Sequence, residues 1–456
     1  WWGHQIPAWY CEDCQAVNVP KPERYLEDPT SCEACGSPRL KRDEDVFDTW
    51  FSSALWPLST LGWPEETEDL KAFYPGDVLV TGYDILFLWV SRMEVSGYHF
   101  MGERPFKTVL LHGLVLDEKG QKMSKSKGNV IDPLEMVERY GADALRFALT
   151  YLATGGQDIR LDLRWLEMAR NFANKLYNAA RFVLLSREGF QAKEDTPTLA
   201  DRFMRSRLSQ GVEEITALYE ALDLAQAARE VYELVWSEFC DWYLEAAKPA
   251  LKAGNAHTLR TLEEVLAVLL KLLHPMMPFL TSELYQALTG KEELALEAWP
   301  EPGGRDEEAE RAFEALKQAV TAVRALKAEA GLPPAQEVRV YLEGETAPVG
   351  ENLEVFRFLA RADLLPERPA KALVKAMPRV TARMPLEGLL DVEEWRRRQE
   401  KRLKELLALA ERSQRKLASP GFREKAPKEV VEAEEARLRE NLEQAERIRE
   451  ALSQIG

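Results

Sequence analysis

Long apolar runs and a targeting leader are both missing from this chain of 456 residues. No stretch of about 18 consecutive apolar residues occurs, which is the length that a membrane-spanning helix needs. The beginning of the chain also lacks the charged segment, apolar core and small-residue cleavage site of a secretory leader. We therefore expect a cytoplasmic protein that does not enter a membrane.

An initiator methionine is missing as well, since the chain opens with Trp1-Trp2-Gly3-His4 in what reads as a structured segment. We therefore expect it to be a piece of a longer protein. At 456 residues it is also too long for one compact core, and about three or four domains are expected.

Positive charge is scarce overall, and the net charge of -16 argues against a chain that binds polyanions over its whole surface. The distribution matters more than the sum. Residues 396–416 contain nine basic and three acidic side chains. A basic strip on an acidic body predicts local docking of RNA with little non-specific binding.

Cysteine is also rare, but four of the five cysteines form two Cys-x-x-Cys pairs, at Cys11 and Cys14 and at Cys32 and Cys35. This spacing is typical of a zinc ribbon, in which four thiolates enclose a structural Zn²⁺ ion. A disulfide pair is disfavoured in the cytoplasm, a redox dithiol needs only one motif, and iron is the main alternative metal. The fifth residue, Cys240, is expected to lie in a core.

The segment 120–129 reads GQKMSKSKGN and places lysines and serines between Gly120 and Gly128. Lysine supplies mobile positive charge for phosphate, serine supplies short donors, and glycine permits hinge motion. The alternative is a solvated, charge-rich hairpin tip. We expect the loop to grip a polyphosphate.

Two short apolar runs, Val78–Thr81 and Thr108–His112, predict buried parallel strands. Ligands of such sheets bind at the carboxyl ends of the strands. Gly82, Asp84, His112 and Gly113 are therefore expected to contact a nucleotide.

After about residue 155, the sequence pattern predicts three further kinds of structure in succession. Amphipathic helices are predicted between about 163 and 288, with proline breaks at 195–197, 248–249 and 274–278. A linker at 299–304 precedes a helix at 307–330, a strand at 338–342 and mixed elements. We predict a multidomain α/β plus all-α protein with a catalytic-type segment at 1–155 (zinc knuckle at 9–38), a helical domain at 156–304, a small α+β domain at 305–388 and a helical hairpin at 389–456.

Apolar and small residues recur every three or four positions in both arms of the terminal hairpin, which predicts an antiparallel coiled coil. The predicted seam consists of Gln399, Leu403, Leu406, Ala410, Ser413 and Leu417 in the first arm and Val431, Glu434, Leu438, Asn441, Ala445, Ile448 and Leu452 in the second. Ser419-Pro420-Gly421 is expected near the reversal.

Several of these strings together resemble the C-terminal half of valyl-tRNA synthetases, which are class I aminoacyl-tRNA synthetases. The resemblance is carried by WGHQIPAWY at 2–10, DTWFSSALWP at 48–57, TGYDILFLW at 81–89, HGLVLD at 112–117 and the lysine loop. The terminal coiled coil favours the valyl family over its isoleucyl and leucyl relatives.

The resemblance implies a Rossmann-type catalytic domain and a two-step reaction with valine, ATP with Mg²⁺, and tRNA(Val). By the same resemblance, Lys122 and Lys125 would stabilise the reacting phosphates, with Ser124 and Ser126 as supporting donors. Gly82, Asp84, His112, Gly113 and Met123 would complete the ATP site, with Asp84 on the ribose. Trp50 and Trp89 would form the walls of the amino-acid pocket.

The chain departs from the complete family pattern, because neither the His-x-Gly-His nucleotide motif nor an editing domain is present. We therefore expect the isolated chain to be inactive. A tRNA-binding module with a vestigial phosphate loop and another nucleotidyltransferase of similar fold are the alternatives.

Two sets of side chains are predicted to bind tRNA. Phe182 is expected to stack on an anticodon base, with Lys175 and with Arg164 or Arg181 near the backbone. At the tip of the hairpin, Arg412, Arg415, Lys416, Arg437 and Arg439 are expected to contact tRNA outside the anticodon. We expect a monomer.

Overall fold

A computed structural model describes residues 2–389, 391–419, 421–422 and 426–455. The chain divides into two compact units. The first comprises 1–139, 148–166 and 220–226, and the second comprises 140–147, 167–219 and 227–456. The predicted reversal falls partly outside this description, because Pro420 is not among the described residues.

The first unit opens with a three-stranded antiparallel sheet in the order β2-β1-β3. Its strands are β1 (Trp9–Cys11), β2 (Val17–Asn18) and β3 (Leu40–Arg42). Three short helices follow, α1 (Thr49–Ala54), α2 (Trp56–Ser59) and α3 (Glu68–Phe73). The first Cys-x-x-Cys pair lies at the end of β1 and in the turn that follows it, and the second pair lies in the segment between β2 and β3.

A parallel pair of strands, β4 (Gly76–Gly82) and β5 (Phe106–His112), flanks a π-helical segment (Leu86–Val90) and helix α4 (Ser91–Met101). The two apolar runs are thus confirmed as parallel strands, each extending a few residues beyond its predicted start. The prediction that they are buried is wrong, because Val78 and Val80 are exposed and most of β5 is exposed or half-buried. Leu79, Val90, Met93 and Phe106 form a buried cluster between the strands and the helix. This packing fixes where both strands end.

The lysine loop follows β6 (Val115–Leu116), which pairs in parallel with β7 (Ile159–Arg160). A 3-10 turn (Lys125–Lys127) lies within the loop. Helices α5 (Pro133–Tyr140) and α6 (Ala142–Leu152) connect the loop to β7.

The predicted all-α region is confirmed. It contains α7 (Leu163–Arg187), α8 (Leu199–Glu220), α9 (Leu224–Glu233), a π-helical segment (Leu234–Tyr243), α10 (Leu244–Ala253), α11 (Ala256–Leu273) and α12 (Pro278–Thr289). The predicted break at Lys248-Pro249 is wrong, because α10 continues through Pro249. Proline removes only one backbone donor there, and the burial of Leu244, Ala246 and Ala247 holds the helix in place.

A small α+β unit follows, as predicted. It consists of α13 (Glu307–Ala330), β8 (Val338–Gly344), α14 (Ala347–Glu351), α15 (Leu353–Ala360), β9 (Ala362–Leu364), β10 (Leu373–Ala376) and β11 (Val380–Met384). The four strands form one sheet in the order β10-β11-β8-β9.

Two long helices end the chain, α16 (Val392–Ala418) and α17 (Lys428–Ile455), and they pack against each other. Every predicted seam position is buried or half-buried. Val374 N–H donates to Gln454 Oε1 at 2.8 Å, which ties the base of the hairpin to β10. Among the described residues, no helix is both long enough and apolar enough to cross a membrane.

Candidate functional site

The carboxyl ends of β4 and β5 bring three predicted site residues together. Gly82 pairs with His112 across the two strands. A Cβ atom on Gly82 would lie 2.5 Å from Asp84 Oδ1 and 3.6 Å from His112 Cε1. A side chain on Gly113 would overlap the carbonyl of Gln157. Close packing against backbone therefore requires glycine at Gly113, whereas a side chain at Gly82 would displace the carboxylate of Asp84. Asp84 and His112 are exposed at the strand ends.

The lysine loop is braced by a carboxylate and an amide that the sequence reasoning did not assign. Asp117 Oδ1 accepts the backbone N–H of Gln121 at 2.7 Å and of Lys119 at 3.0 Å. Asn129 Nδ2 donates to Asp117 Oδ2 at 2.8 Å, and Asn129 Oδ1 accepts the Ser124 N–H at 2.9 Å. Asn129 and Asp117 thereby join the two ends of the loop.

Donation from Asn129, together with the backbone N–H of Gln121, holds the pKa of Asp117 below its usual range. Asp117 is therefore a carboxylate at neutral pH. The sequence signal that would have found this pair is the preference of Asp and Asn for turns, where their side chains bond to nearby backbone groups.

Between the two ends that Asp117 and Asn129 join, most polar side chains of the loop face solvent. Lys122, Ser126 and Lys127 are exposed, while Met123 and Ser124 are half-buried. The Ser124 and Ser126 hydroxyls lie 3.2 Å apart. The side chain of Lys125 lies outside the described part of the structure. The loop thus offers cations and hydroxyls on a fixed backbone.

The two predicted pocket tryptophans have different surroundings. Trp89 Nε1 donates to the Ser53 carbonyl at 3.0 Å, and its ring packs against the buried cluster of β4 and β5. The Trp56 ring centroid lies 5.7 Å from that of Trp89. Trp50 is half-buried in the first turn of α1. Trp89 therefore has a structural role in addition to the one predicted.

The four paired cysteines converge. Their sulfur atoms all lie within 4.8 Å of one another, and the Cys11–Cys35 and Cys14–Cys32 sulfur pairs are 3.6 and 3.5 Å apart. Zinc–sulfur bonds of about 2.3 Å in a tetrahedron place sulfur atoms about 3.8 Å apart. A disulfide would require about 2.05 Å. The cluster therefore fits a four-coordinate metal ion and contains no disulfide.

The two Cys-x-x-Cys turns are built alike. The first cysteine of each turn donates its N–H to the carbonyl five residues later, Cys11 to Ala16 at 2.9 Å and Cys32 to Ser37 at 2.8 Å. The residue after each second cysteine has a positive φ, 61° at Gln15 and 73° at Gly36. Burial raises the pKa of Cys32, but the backbone N–H groups of Cys35 and Ala34 outweigh it and bring it to about 6. The two turns thus present four sulfur atoms to a common centre.

The predicted anticodon helix has one fully buried face. Its buried residues include Ala169, Phe172, Leu176, Ala180 and Val183. On another face, Phe182 and Asn178 line a cavity of about 670 Å³ together with Trp242 and Lys248. A second cavity of about 450 Å³ is also lined by Phe182 and Lys248.

Two lysines that line these cavities each contact an aromatic ring. The sequence predicted only Lys175 and Phe182 among these residues. Lys175 Nζ lies 3.7 Å from the Trp236 ring centroid and 2.5 Å from Asp241. Lys248 Nζ lies 5.5 Å from the Phe182 ring centroid. Trp242 and Lys248 were missed because helical periodicity does not reveal which faces of separate helices meet.

The other predicted arginines of this region lie apart. Arg181 is exposed on α7. Arg164 forms an ion pair of 2.6 Å with Asp162 and belongs to the first unit, whereas Phe182 belongs to the second. The structure therefore does not bring Arg164 together with Phe182 in one unit.

All five predicted arm residues, Arg412, Arg415, Lys416, Arg437 and Arg439, are exposed on the hairpin. Arg415 forms an ion pair with Glu411. Lys416 differs, because its Nζ donates to the buried carboxylate of Glu434 at 2.8 Å and lies 4.7 Å from the Phe422 ring centroid. Lys416 is thus held by intramolecular contacts.

Comparison with known proteins adds three family matches. Residues 1–162 match the model described as "tRNA synthetases class I (I, L, M and V)", and residues 201–342 match "Anticodon-binding domain of tRNA ligase". Residues 391–456 match "Valyl tRNA synthetase tRNA binding arm". The chain therefore belongs to the class I aminoacyl-tRNA synthetases. Within that class, the terminal arm matches the valyl-tRNA synthetase family, and so do the relatives described next.

The chain is 99% identical to a valine–tRNA ligase of Thermus thermophilus, over 100% of this chain and 53% of that protein. It is 48% identical to a valine–tRNA ligase of Deinococcus radiodurans, over 100% of this chain and 54% of that protein. The chain thus spans about half the length of these relatives, in agreement with the expected partial length.

A solved structure has a related fold. It is a ternary complex of a leucyl enzyme from Agrobacterium radiobacter K84 (LeuRS-tRNA-LeuAMS), with a TM-score of 0.55 at 22% identity, covering 68% of this chain and 41% of that one.

Proposed function

We propose that this chain is the part of a valine–tRNA ligase that carries the phosphate loop and the tRNA-binding elements. The observation that carries the proposal is the 99% identity to a valine–tRNA ligase along the whole chain. The complete protein would join the valine carboxylate to the α-phosphate of ATP, release pyrophosphate, and pass the acyl group to the terminal ribose of tRNA(Val).

The braced loop would act on the phosphates. Negative charge moves from the α-phosphate to the departing pyrophosphate, so positioned cations stabilise the transition state more than the ground state. Lys122 and Lys125 would supply these cations, with Ser124 and Ser126 as donors and Met123 beside the nucleotide. Mg²⁺ bound to ATP would neutralise further phosphate charge.

The strand ends would hold the nucleoside. Asp84 is an exposed carboxylate beside Gly82 and His112, and a carboxylate can accept bonds from both ribose hydroxyls. Gly82 and Gly113 leave room for the backbone to approach the ligand. Trp50 and Trp89 are proposed to bound the valine pocket. Such an apolar slot rejects longer side chains but not threonine, which explains why synthetases of this kind edit.

The second unit would bind tRNA at two places. In the first, an anticodon base would stack on Phe182 between the two cavities, with Lys175, Lys248 and Arg181 near the RNA backbone. Arg164, in the first unit, is proposed to contact the RNA independently.

The second place is the terminal hairpin, which we propose is an antiparallel coiled coil. Arg412, Arg415, Arg437 and Arg439 would contact phosphates or bases outside the anticodon, with Lys416 adding charge near the tip.

The four-cysteine cluster would bind a structural Zn²⁺ ion. Cys11, Cys14, Cys32 and Cys35 supply four thiolates, the full set of a closed structural site. We also propose that the chain has four domains, divided at 155, 304 and 388. We propose that the protein is cytoplasmic and monomeric.

ATP–pyrophosphate exchange in the complete protein tests the catalytic part, with valine, isoleucine and threonine as substrates. Lys122→Ala and Lys125→Ala are each expected to lower the rate on the order of 10²-fold or more, with little change in valine affinity. The matched control is Lys119→Ala, since Lys119 lies just before the loop. Exchange near the parental rate in both loop variants would contradict a catalytic loop and favour a tRNA-binding module with a vestigial one.

A further inference from the structure

One buried polar side chain lies between the two cysteine turns. Asn18, at the end of β2, is only 2% exposed, although asparagine is seldom fully buried. It lies between the two cysteine pairs in sequence. A buried amide is retained only where its hydrogen bonds are satisfied.

The hydrogen bonds of Asn18 reach both turns. Its Nδ2 donates to the Ala16 carbonyl at 3.2 Å and to the Trp9 carbonyl at 3.4 Å. The Ala16 carbonyl is also the one that closes the first turn by accepting the Cys11 N–H. On the other side, Asn18 Oδ1 accepts the N–H of Glu33 at 2.8 Å, and Glu33 lies between the cysteines of the second turn. One side chain therefore fixes the distance between the two pairs of sulfur atoms.

A second bridge between the turns is much weaker. Asp13, in the first turn, accepts the Ser37 hydroxyl at 2.5 Å and Arg39 Nε at 3.2 Å. Asp13 and Arg39 are exposed and Ser37 is half-buried, so water can replace most of this bonding at little cost. Loss of Asn18 would instead leave the Glu33 N–H without its partner in a part-buried position.

We propose that Asn18 is a positioning residue of the metal site, which holds the two Cys-x-x-Cys turns at the spacing that a tetrahedral ion requires. This inference rests on the proposed zinc site. The metal supplies the attraction between the thiolates, and Asn18 arranges the turns before the metal binds. Groups that orient metal ligands in this way commonly change metal affinity 10- to 100-fold when they are removed.

The test measures zinc affinity of the chain by competition with a chromophoric chelator under reducing conditions. Asn18→Ala is expected to weaken zinc binding roughly 10- to 100-fold. The matched control Asp13→Ala, which removes the exposed bridge, is expected to change it less than about threefold. With saturating Co²⁺, both variants should keep the absorption of a tetrahedral four-thiolate complex, which shows that the ligands themselves are intact.

Two further measurements separate positioning from general folding. The main unfolding midpoint of the metal-free chain, which reports its large buried cores, should be nearly the same in the parent and in Asn18→Ala, since the hydrogen bonds of Asn18 are confined to the small three-stranded sheet and the two turns. If Asn18→Ala does not fold, Asn18→Asp, which keeps the oxygen that accepts the Glu33 N–H, takes its place and is expected to bind zinc more weakly than the parent. Zinc affinity of the folded Asn18 variant within twofold of the parent would overturn the inference. A parent chain that binds no zinc would instead overturn the metal site itself.

Discussion

Asn129 provides the sharpest test of how the lysine loop is held. Replacing it with alanine removes the amide that joins the end of the loop to its beginning. Two neutral bonds are lost, the one from the Ser124 N–H at 2.9 Å and the one to the Lys122 carbonyl at 3.3 Å. Each is worth about 1 kcal/mol, so the braced conformation loses about 2 kcal/mol. The bond to the exposed Asp117 carboxylate is screened by solvent and is left out of this sum.

A loss of about 2 kcal/mol corresponds to a roughly thirtyfold fall in the equilibrium constant between the braced and the open loop, which is the largest fall in activity that the lost bonds can cause. Water replaces part of the lost bonding because the loop is only half-buried, so we expect pyrophosphate exchange in the complete protein to fall roughly 10- to 30-fold. Valine affinity and the thermal unfolding midpoint should change little, since the loop lies away from the buried core. The assay is exchange at saturating ATP and valine.

The control is Gln121→Ala, because Gln121 contributes its backbone and not its side chain to the brace. This variant should exchange at close to the parental rate. If Asn129→Ala stayed within twofold of the parent, the brace would have no part in placing Lys122 and the reasoning from hydrogen bonds would fail.

Three further predictions concern the second unit. Phe182→Ala should weaken tRNA(Val) binding by roughly 1–3 kcal/mol, whereas Tyr177→Ala, which removes an exposed ring of the same helix that lines neither cavity, should not; equal affinities of the Phe182 variant and the parent in a filter-binding titration would end the stacking role. Deleting 391–456 from the complete protein should weaken tRNA binding while valine activation persists, and unchanged tRNA affinity at the same moderate salt would leave the hairpin a structural appendage. Donation from Lys416, and to a lesser extent from Ser413, lowers the pKa of Glu434 in the folded chain below its ordinary value of 4.5. The ionised carboxylate therefore stabilises the hairpin fully above pH 4.5, and this stabilisation is lost as the pH falls through the lowered pKa of the folded state. Glu434→Gln should therefore lower the unfolding midpoint of the hairpin at pH 7 by more than at pH 3.5, and a deficit independent of pH would refute the role of the charge.

Local signals explain which elements could be predicted from the sequence. Helix α13 begins and ends at the predicted residues because Asp306 accepts the Ala309 N–H at its start and Gly331 takes a positive φ of 72° at its end. Both are single-residue signals that sit beside the helix they delimit. The seam of α16 and α17 could also be predicted from local sequence, because the spacing of three and four residues between apolar positions identifies the face of each helix that packs inward.

Pro249 shows the opposite case. A proline is a strong local signal for a break, yet α10 continues because buried contacts with the rest of the bundle outweigh one missing hydrogen bond. The cavities beside Phe182 were only half predicted for a related reason. Lys175 and Asn178 share a helix with Phe182, whereas Trp242 and Lys248 reach the cavity from other segments. Sequence spacing within one helix carries no information about which other helix lies opposite.

The residues that hold the candidate sites in place were the hardest to find, and their chemistry explains why. Asn18, Asn129 and Glu434 are polar residues whose role depends on a partner 12 to 21 residues away, and only Glu434 was placed from the sequence, as a seam position without its partner. Taken singly, each looks like a turn residue or an interruption of an apolar pattern. In the folded chain, each is the side chain that joins two segments carrying predicted ligands: two cysteine turns, two ends of the lysine loop, two arms of the hairpin. Cysteines, lysines and aromatic residues indicate a binding site by their residue type and their spacing in the sequence. The groups that set its geometry are recognised only once the partners of their hydrogen bonds are known.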